Sequence, residues 1–126
     1  MIDIRGLAYF VAQIDDVNEW KRYAEDVLGM MTAPAPGNGL YVKMDERPFR
    51  ILVVQGAERR YTASGWELAS EPAFKAALAE LDAKGVACVP GSAFGEPRAL
   101  RISYTCPTPQ LAPGLQRFQE FFAELK

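Results

Sequence analysis

The chain has 126 residues, of which 49% are hydrophobic and 24% are charged, which is enough apolar material for one globular domain with a single core. Its 14 basic and 16 acidic residues leave a net charge of −2. Because they form no charged block, they argue against a nucleic acid or an anionic membrane as partner. No apolar run reaches the roughly 18 residues of a membrane span, and no signal peptide is recognisable, so the sequence predicts a cytoplasmic protein.

The sequence contains no histidine. Histidine is the commonest general base and a ligand in most zinc and non-haem iron sites, so its absence excludes Ser-His and Cys-His pairs and the usual metal sites. An all-carboxylate metal site, or a Lys, Tyr, Asp or Glu base, stays open, but no spacing points to one. Cys88 and Cys106 are interpreted as small core or near-surface residues, with a disulfide or a reactive thiol as the alternative.

The first predicted unit is a strand followed by a helix. Residues 4–12 are rich in β-branched and aromatic side chains, as suits a strand buried on at least one face. Asp15 or Asp16 offers an N-cap, with Glu19 in the capping-box position of Asp16. Apolar residues follow at helical spacing until Gly29 ends the helix. These apolar residues are Val17, Trp20, Ala24, Val27 and Leu28.

A loop and a hairpin complete the first half. Residues 34–39 contain two prolines and two glycines, a composition that predicts a loop. Residues 40–44 alternate between apolar and polar side chains and residues 49–55 are largely apolar, so both stretches are predicted as strands around a turn at 45–48. The first half is therefore βαββ.

The second half repeats this order. Residues 61–68 are a strand candidate, Ser70 is a helix N-cap, and one apolar helical face precedes the stop at Gly85. When Val11 is aligned with Leu68, the two glycine stops fall within one residue of each other. Short strands at 86–89 and 99–105, around a loop at 90–97, continue the copy. Two such units that pair their sheets would bury both apolar faces, which predicts an α+β domain with a cup between the units.

Three stretches carry a resemblance to a known family. They are LAYFVAQIDDVNEWKRYAEDVLGM (7–30), LYVKMDERPFRILVVQG (40–56) and TASGWELASEPAFKAALAELDAKGVAC (62–88). In this order they resemble the N-terminal domain of the two-domain, type I extradiol ring-cleavage dioxygenases, of the kind that open 2,3-dihydroxybiphenyl. More broadly, the chain is similar to the vicinal oxygen chelate superfamily, which includes glyoxalase I and the bleomycin-resistance proteins. The resemblance covers about residues 2–105.

The resemblance implies two tandem βαβββ modules, at 2–57 and 60–106, within the single domain 1–126. They form a strongly curved mixed β-sheet with the helices outside. After Thr105 the sequence departs from the family, and apolar residues at helical spacing predict an atypical C-terminal helix at 112–126 in place of the last strand. These residues are Leu115, Phe118, Phe121, Phe122 and Leu125. The helix must be buried, either against the open cup and sheet edge or in a homodimer or higher homo-oligomer.

The resemblance also bears on metal binding. The family's catalytic domain binds Fe(II) through two histidines and a glutamate. In this chain Tyr9 stands where the first histidine would be, the second falls at or near Ala63, and the stretch that carries the glutamate is missing. The resemblance therefore implies no catalytic residue, no metal ligand and no cofactor on this chain, although the family uses Fe(II).

Two classes of function stay open. In the first, the chain corresponds to the non-catalytic N-terminal domain of an aromatic-catabolic dioxygenase and is inactive alone, because residues elsewhere carry out the Fe(II)- and O₂-dependent ring cleavage. It is then either a truncated or frameshifted relative or a stand-alone protein. In the second, the chain is a metal-free module that binds a small aromatic ligand in its cup. The ligand-cup candidates are Tyr9, Met31 and Trp66, for which core packing is the competing interpretation. A glyoxalase-like isomerase is disfavoured because that chemistry also needs metal ligands.

Overall fold

The computed structural model describes residues 4–86, 88–90, 99–103 and 108–123. Within these ranges the strands are β1 (Ile4–Ile14), β2 (Met31–Ala35), β3 (Gly39–Lys43), β4 (Ile51–Gln55), β5 (Arg60–Leu68), β6 (Val89–Pro90) and β7 (Ala99–Ser103). The helices are α1 (Val17–Arg22), which continues into a π-helical turn (Tyr23–Val27), α2 (Glu71–Ala83) and α3 (Thr108–Ala123). None of the described helices is long and apolar enough to cross a membrane.

In the described part of the chain, the strands form one sheet in the order β2-β3-β4-β1-β5-β7-β6. β1 and β4 are parallel, whereas the pairs β2/β3, β3/β4 and β6/β7 are antiparallel. The predicted fold class, α+β with a mixed sheet, is confirmed. β4 is a neighbour of β1, and β7 is a neighbour of β5. The first strand of each half therefore has a later strand of the same half beside it.

The chain divides into two compact units. The first unit is Tyr9–Ala63, and the second unit is Met1–Ala8 together with Ser64–Lys126. Both β1 and β5 are split between the units, so each unit contains part of each strand. The sequence modules 2–57 and 60–106 stay a prediction.

In the first unit, Asp16 caps the helix as predicted, whereas Glu19, predicted in the capping-box position, binds Arg59 through its carboxylate. The Asp16 carboxylate accepts a hydrogen bond from the Asn18 backbone N–H at 2.9 Å and caps α1. At the other end, the Leu28 N–H donates to the Tyr23 carbonyl at 3.1 Å, five residues back, which is the π-helical pattern. Gly29 then adopts a φ of 65°, a conformation that costs a side-chain-bearing residue free energy.

The predicted loop at 34–39 is partly wrong. Pro34 and Ala35 belong to β2, and Pro34 pairs with Leu40 of β3. β2 is the edge strand of the described sheet, and an edge strand tolerates proline because one row of its backbone groups has no ladder partner. Only residues 36–38 form the turn, where Gly37 and Asn38 have φ values of 67° and 59°.

The core of the first unit lies between α1 and the sheet. Side chains alternate across a strand, and the alternate residues of β1, β3 and β4 that face α1 are buried together. This buried cluster is Ile14, Ala24, Leu40, Val42, Ile51 and Val53, with Phe10, Val17, Trp20 and Met30 at its margin. The apolar helical face predicted for residues 17–28 therefore packs against the sheet through Val17, Trp20 and Ala24.

The second unit has its own core beneath α2. Ser70 caps α2 by accepting a hydrogen bond from the Ala73 N–H at 3.3 Å, and Gly85 ends it with a φ of 69°, both as predicted. The buried cluster is Leu68, Phe74, Ala77, Leu81 and Leu100. Phe118 of α3 packs against this cluster, so α3 contacts its own chain.

α3 begins earlier than the predicted helix at 112–126. It starts at Thr108 and includes Pro113. Its first three residues, Thr108, Pro109 and Gln110, give no pattern of apolar residues at helical spacing, so the sequence did not show this start. Residues 124–126, with the predicted helix position Leu125, lie outside the described residues, as do 91–98 of the predicted loop and 104–105 of the predicted strand.

Candidate functional site

Tyr9 lies in a packed aromatic cluster of the first unit. Its side chain is 1% exposed, and its ring centroid is 5.0 Å from that of Phe49, at an interplanar angle of 60°. Phe49 in turn stacks on Tyr41 at 4.6 Å. By strand alternation, Tyr9 is on the face of β1 opposite Phe10 and Ile14, which face α1. The aromatic rings around Tyr9 thus contact one another and fill the space beside it.

A cleft of about 450 Å³ opens on the α1 side of the first unit, within the usual range for small-molecule sites. It lies beside the end of β1, α1 and the start of β5. Its lining residues, here called the Trp20 cleft, are Ala12, Gln13, Ile14, Glu19, Trp20, Tyr23, Arg59 and Arg60. The rings of Trp20 and Tyr23 meet edge to face, with centroids 6.2 Å apart at 81°. The cleft thus has two aromatic walls and a charged rim.

Arg59 is fixed on this rim by two carboxylates. Its Nε donates to Asp15 Oδ1 at 2.7 Å, and its Nη2 and Nη1 donate to the two Glu19 oxygens at 2.7 and 3.2 Å. These bonds, Glu19 first, raise the pKa of Arg59 further above its usual value, and the bond from Arg59 lowers the pKa of Asp15. Because all three side chains are about half exposed, the contacts fix geometry more than they stabilise the fold.

A second, polar recess of about 620 Å³ lies between α1, β2 and the turn that follows it. Lys21 Nζ donates to Glu25 at 2.6 Å, and the Thr32 hydroxyl also donates to Glu25. These two bonds, Lys21 first, lower the pKa of Glu25. Lys21, Glu25 and Thr32 thus bind one another in this recess, whereas the Trp20 cleft has aromatic walls, which makes it the better candidate site.

The structure does not bring the predicted ligand-cup residues Tyr9 and Met31 together. Met31 is 69% exposed and pairs with Lys43 at the edge of the sheet. β4 and β3 lie between β1 and β2, so the two backbones are about 14 Å apart, three strand spacings. Trp66 belongs to the second unit, where its indole N–H donates to Ser64 Oγ at 3.0 Å. A ligand role for the three residues stays a prediction.

Cys88 behaves as a partly buried apolar residue. It is half-buried and packs at the margin of the second unit's core. Burial raises the pKa of its thiol to about 11, so the thiol is protonated at neutral pH and a poor nucleophile. Cys106 lies outside the described residues.

Comparison with known proteins shows which family this chain resembles over part of its length. Residues 7–56 match the family model described as dihydroxybiphenyl dioxygenase BphC D1. The chain is 34% identical over 93 residues to an iron-dependent extradiol dioxygenase of Rhodococcus jostii, covering 73% of this chain and 31% of that protein. It is 30% identical over 92 residues to a biphenyl-2,3-diol 1,2-dioxygenase of Paraburkholderia xenovorans, covering 73% and 31%.

The resemblance to the N-terminal domain of the extradiol dioxygenases is confirmed. Among solved structures, a catechol 2,3-dioxygenase matches with a TM-score of 0.63 and 20% identity, over 71% of this chain and 30% of that one. An extradiol ring-cleaving dioxygenase from B. fuscum matches with a TM-score of 0.60 and 19% identity, over 69% and 24%. These likenesses show the shared fold. The chain spans about three tenths of the length of the curated relatives.

The residues of this chain do not fit the iron site of the extradiol dioxygenases. That site takes two histidines and one carboxylate, and the sequence has no histidine. Tyr9, which the resemblance places at the position of the first ligand, packs on Phe49. Ala63, which the resemblance places near the second, is fully buried and its side chain has no donor atom. In the part of the chain that the structure describes, no group of three or more Cys, Asp or Glu side chains is placed to hold a metal.

Sequence reasoning missed the role of Arg59. Residues 58–60 had the composition of a solvated linker, yet Arg59 binds two carboxylates that are 44 and 40 residues away in sequence. The one available signal was indirect: Glu19 stood in a capping-box position, but its carboxylate binds Arg59. Trp20 was predicted on the apolar helical face, and this face also forms the wall of the cleft.

Proposed function

We propose that this chain fulfils the role of the non-catalytic N-terminal domain of an extradiol dioxygenase and does not itself cleave an aromatic ring. The observation that carries the proposal is the packing of Tyr9. At the place of the family's first iron ligand, a tyrosine 1% exposed lies against Phe49, in a chain without histidine. Ring opening, which in this family needs Fe(II) and O₂, is then carried out by residues that are not in this sequence.

The test is an assay of the purified chain with iron. The protein is incubated anaerobically with Fe(II), desalted, analysed for bound metal, and then mixed in air with biphenyl-2,3-diol or catechol. We expect far less than one iron per chain and no yellow ring-opened product. A full-length iron-dependent extradiol dioxygenase, treated in the same way, is the positive control.

Two outcomes bear directly on the proposal. Stoichiometric iron together with ring-opened product from this chain alone would overturn it. A Tyr9→His variant sharpens the result, because one histidine supplies only one of three ligands, and we expect this variant to gain neither iron nor activity. Gain of both would show that the remaining ligands are present after all.

A second candidate function is the binding of a small aromatic molecule without a metal. The Trp20 cleft favours it, because its volume of about 450 Å³ and its aromatic walls suit such a ligand. A ligand that binds only the folded state raises the apparent stability. A thermal-shift series with aromatic compounds therefore tests this function, and the absence of any shift at millimolar concentration would contradict it.

A further inference from the structure

We infer that the Trp20 cleft binds a neutral, planar aromatic molecule that carries a hydroxyl group. The inference rests on the second candidate function, since it names the ligand class and moves the site away from the predicted residues Tyr9, Met31 and Trp66. It requires neither iron nor a catalytic partner. Three properties of the cleft lead to it: the floor, the walls and the charge balance of the rim.

Ala12 lines the cleft and is here called its floor; it is a small residue between two larger ones on the same face of β1. Ala12 lies on the α1-facing side of β1, between Phe10 and Ile14, by strand alternation. Ile14 is buried in the core of the first unit, and Phe10 stacks on Tyr61 with ring centroids 5.8 Å apart. The methyl group of Ala12 leaves space where a larger side chain would continue this layer, and its side chain remains partly exposed to the cleft.

The walls offer aromatic surface that the fold leaves uncovered. Trp20 is half-buried, and Tyr23 remains 48% exposed although it lies edge-on to Trp20. Tyr23 is also the first residue of the π-helical turn, and its carbonyl accepts a hydrogen bond from the N–H of Leu28. Such turns occur frequently at functional sites. Edge-to-face and stacked aromatic contacts favour a planar ring over a branched aliphatic ligand.

The rim is not suited to an anion. Arg59 is held by Asp15 and Glu19, and Arg60 Nη1 lies 3.2 Å from Glu58 Oε2. Two positive charges therefore face three negative ones, and an anionic ligand would have to displace a carboxylate from a guanidinium. Glu19 and Gln13 also line the cleft and supply oxygen atoms that accept a hydrogen bond from a ligand hydroxyl. A neutral phenolic compound matches this rim.

The test follows the indole N–H signals in a ¹H–¹⁵N NMR spectrum of the full chain. The sequence has two tryptophans, so two such signals occur, and a Trp66→Phe variant assigns them. 2-Naphthol, neutral at pH 7, and 2-naphthoate, of nearly the same size but anionic, are added in parallel. We expect 2-naphthol to shift the Trp20 signal saturably below about 1 mM and to bind about tenfold more tightly than 2-naphthoate. Tighter binding of 2-naphthoate would overturn the ligand class.

Filling the floor tests the site itself. Ala12→Leu should weaken binding of 2-naphthol by about tenfold or more, whereas Ala76→Leu, the same change on the exposed side of α2, should leave it unchanged. If Ala12→Leu fails to fold, Tyr23→Ala, at a half-exposed position, is expected to give the same loss. Calorimetric binding that persists in the cleft variants and leaves the Trp20 signal unmoved would refute the site but keep the second candidate function. No binding of either probe would refute the site and its ligand class, whereas the second candidate function is decided by the thermal-shift series.

Discussion

Arg59 connects the start of β5 to α1, and its contacts predict a pH dependence. Its hydrogen bond lowers the pKa of Asp15 below 3.8 in the folded state, so between the two values the unfolded chain binds more protons. Stability from this contact is therefore fully present above about pH 5 and is lost as the pH falls through the folded pKa. We expect urea midpoints of wild type and Arg59→Gln to differ most near neutral pH and to converge at low pH.

The measurement is a series of urea unfolding curves from about pH 2 to 7, followed by circular dichroism. The exposed pair Lys75–Glu71 provides a control, since hydrogen bonding by Lys75 lowers the pKa of Glu71 as well. The Lys75→Gln variant should therefore lose the part of the pH dependence of stability that comes from Glu71 and keep the part that comes from Asp15. If the difference between the urea midpoints of wild type and Arg59→Gln is the same at every pH, the Arg59 contacts are absent in solution.

The packing of the Tyr9 ring predicts the cost of its removal. Because the ring is 1% exposed and lies against Phe49, Tyr9→Ala leaves a cavity and should lower the free energy of unfolding by about 3–4 kcal/mol. Tyr61 is 49% exposed, so Tyr61→Ala should cost about 1 kcal/mol. Chemical denaturation of both variants measures the difference. Equal costs would contradict the aromatic cluster at Tyr9.

At the scale of elements, the contact of α3 with its own chain gives a further prediction. Phe118 is partly buried and packs against the core beneath α2, so Phe118→Ala should lower the free energy of unfolding by about 2 kcal/mol, less than the roughly 3–5 kcal/mol typical of a fully buried phenylalanine. Gln116 is exposed on the same helix, about 160° around it from Phe118, and Gln116→Ala should cost less than about 1 kcal/mol. Denaturation curves of the two variants provide the comparison. A negligible cost for Phe118→Ala would mean that α3 does not dock.

Local signals explain why much of the element pattern could be predicted from the sequence. Asp16 and Ser70 cap the helices, and Gly29 and Gly85 end them, because caps and left-handed glycines depend on a few adjacent residues. β2 was missed because Pro34 is tolerated only at the edge of a sheet, and edge position depends on strand order. No short-range pattern contains strand order.

The candidate site was less predictable than the fold for the same reason. The Trp20 cleft combines the end of β1, a helix face and the start of β5, which are separated by up to about 48 residues. Trp20 was identified as apolar and helical, but nothing in its neighbourhood showed that Arg59 lies nearby. Tyr9 was singled out through the resemblance to a metal-binding family, and packing explains its burial. A site whose residues lie far apart in the sequence is recognised only from the tertiary structure.

At the scale of the whole molecule, the described residues expose apolar side chains on two surfaces. Exposed apolar side chains such as Val27 and Met31, 67% and 69% exposed, lie near the end of α1 and on β2. Leu115 on α3 is exposed as well, about 60° around the helix from Phe118, so α3 can dock on its own core and still present an apolar edge. Since exposed apolar surface favours contact with a partner, we propose that the predicted homodimer forms through α3.

The homodimer predicts a stability that depends on protein concentration. When unfolding also separates two chains, each tenfold increase in concentration adds about 1.4 kcal/mol per dimer to the apparent stability. We expect the thermal midpoint to rise with concentration in wild type. Leu115→Glu should abolish the rise because it places a charge in the interface, whereas Met31→Glu, the same change on β2, should not. Scanning calorimetry over a hundredfold concentration range, with sedimentation equilibrium, makes the measurement. A constant midpoint and a monomeric mass would rule out the dimer, and a rise lost only in Met31→Glu would move the interface to β2.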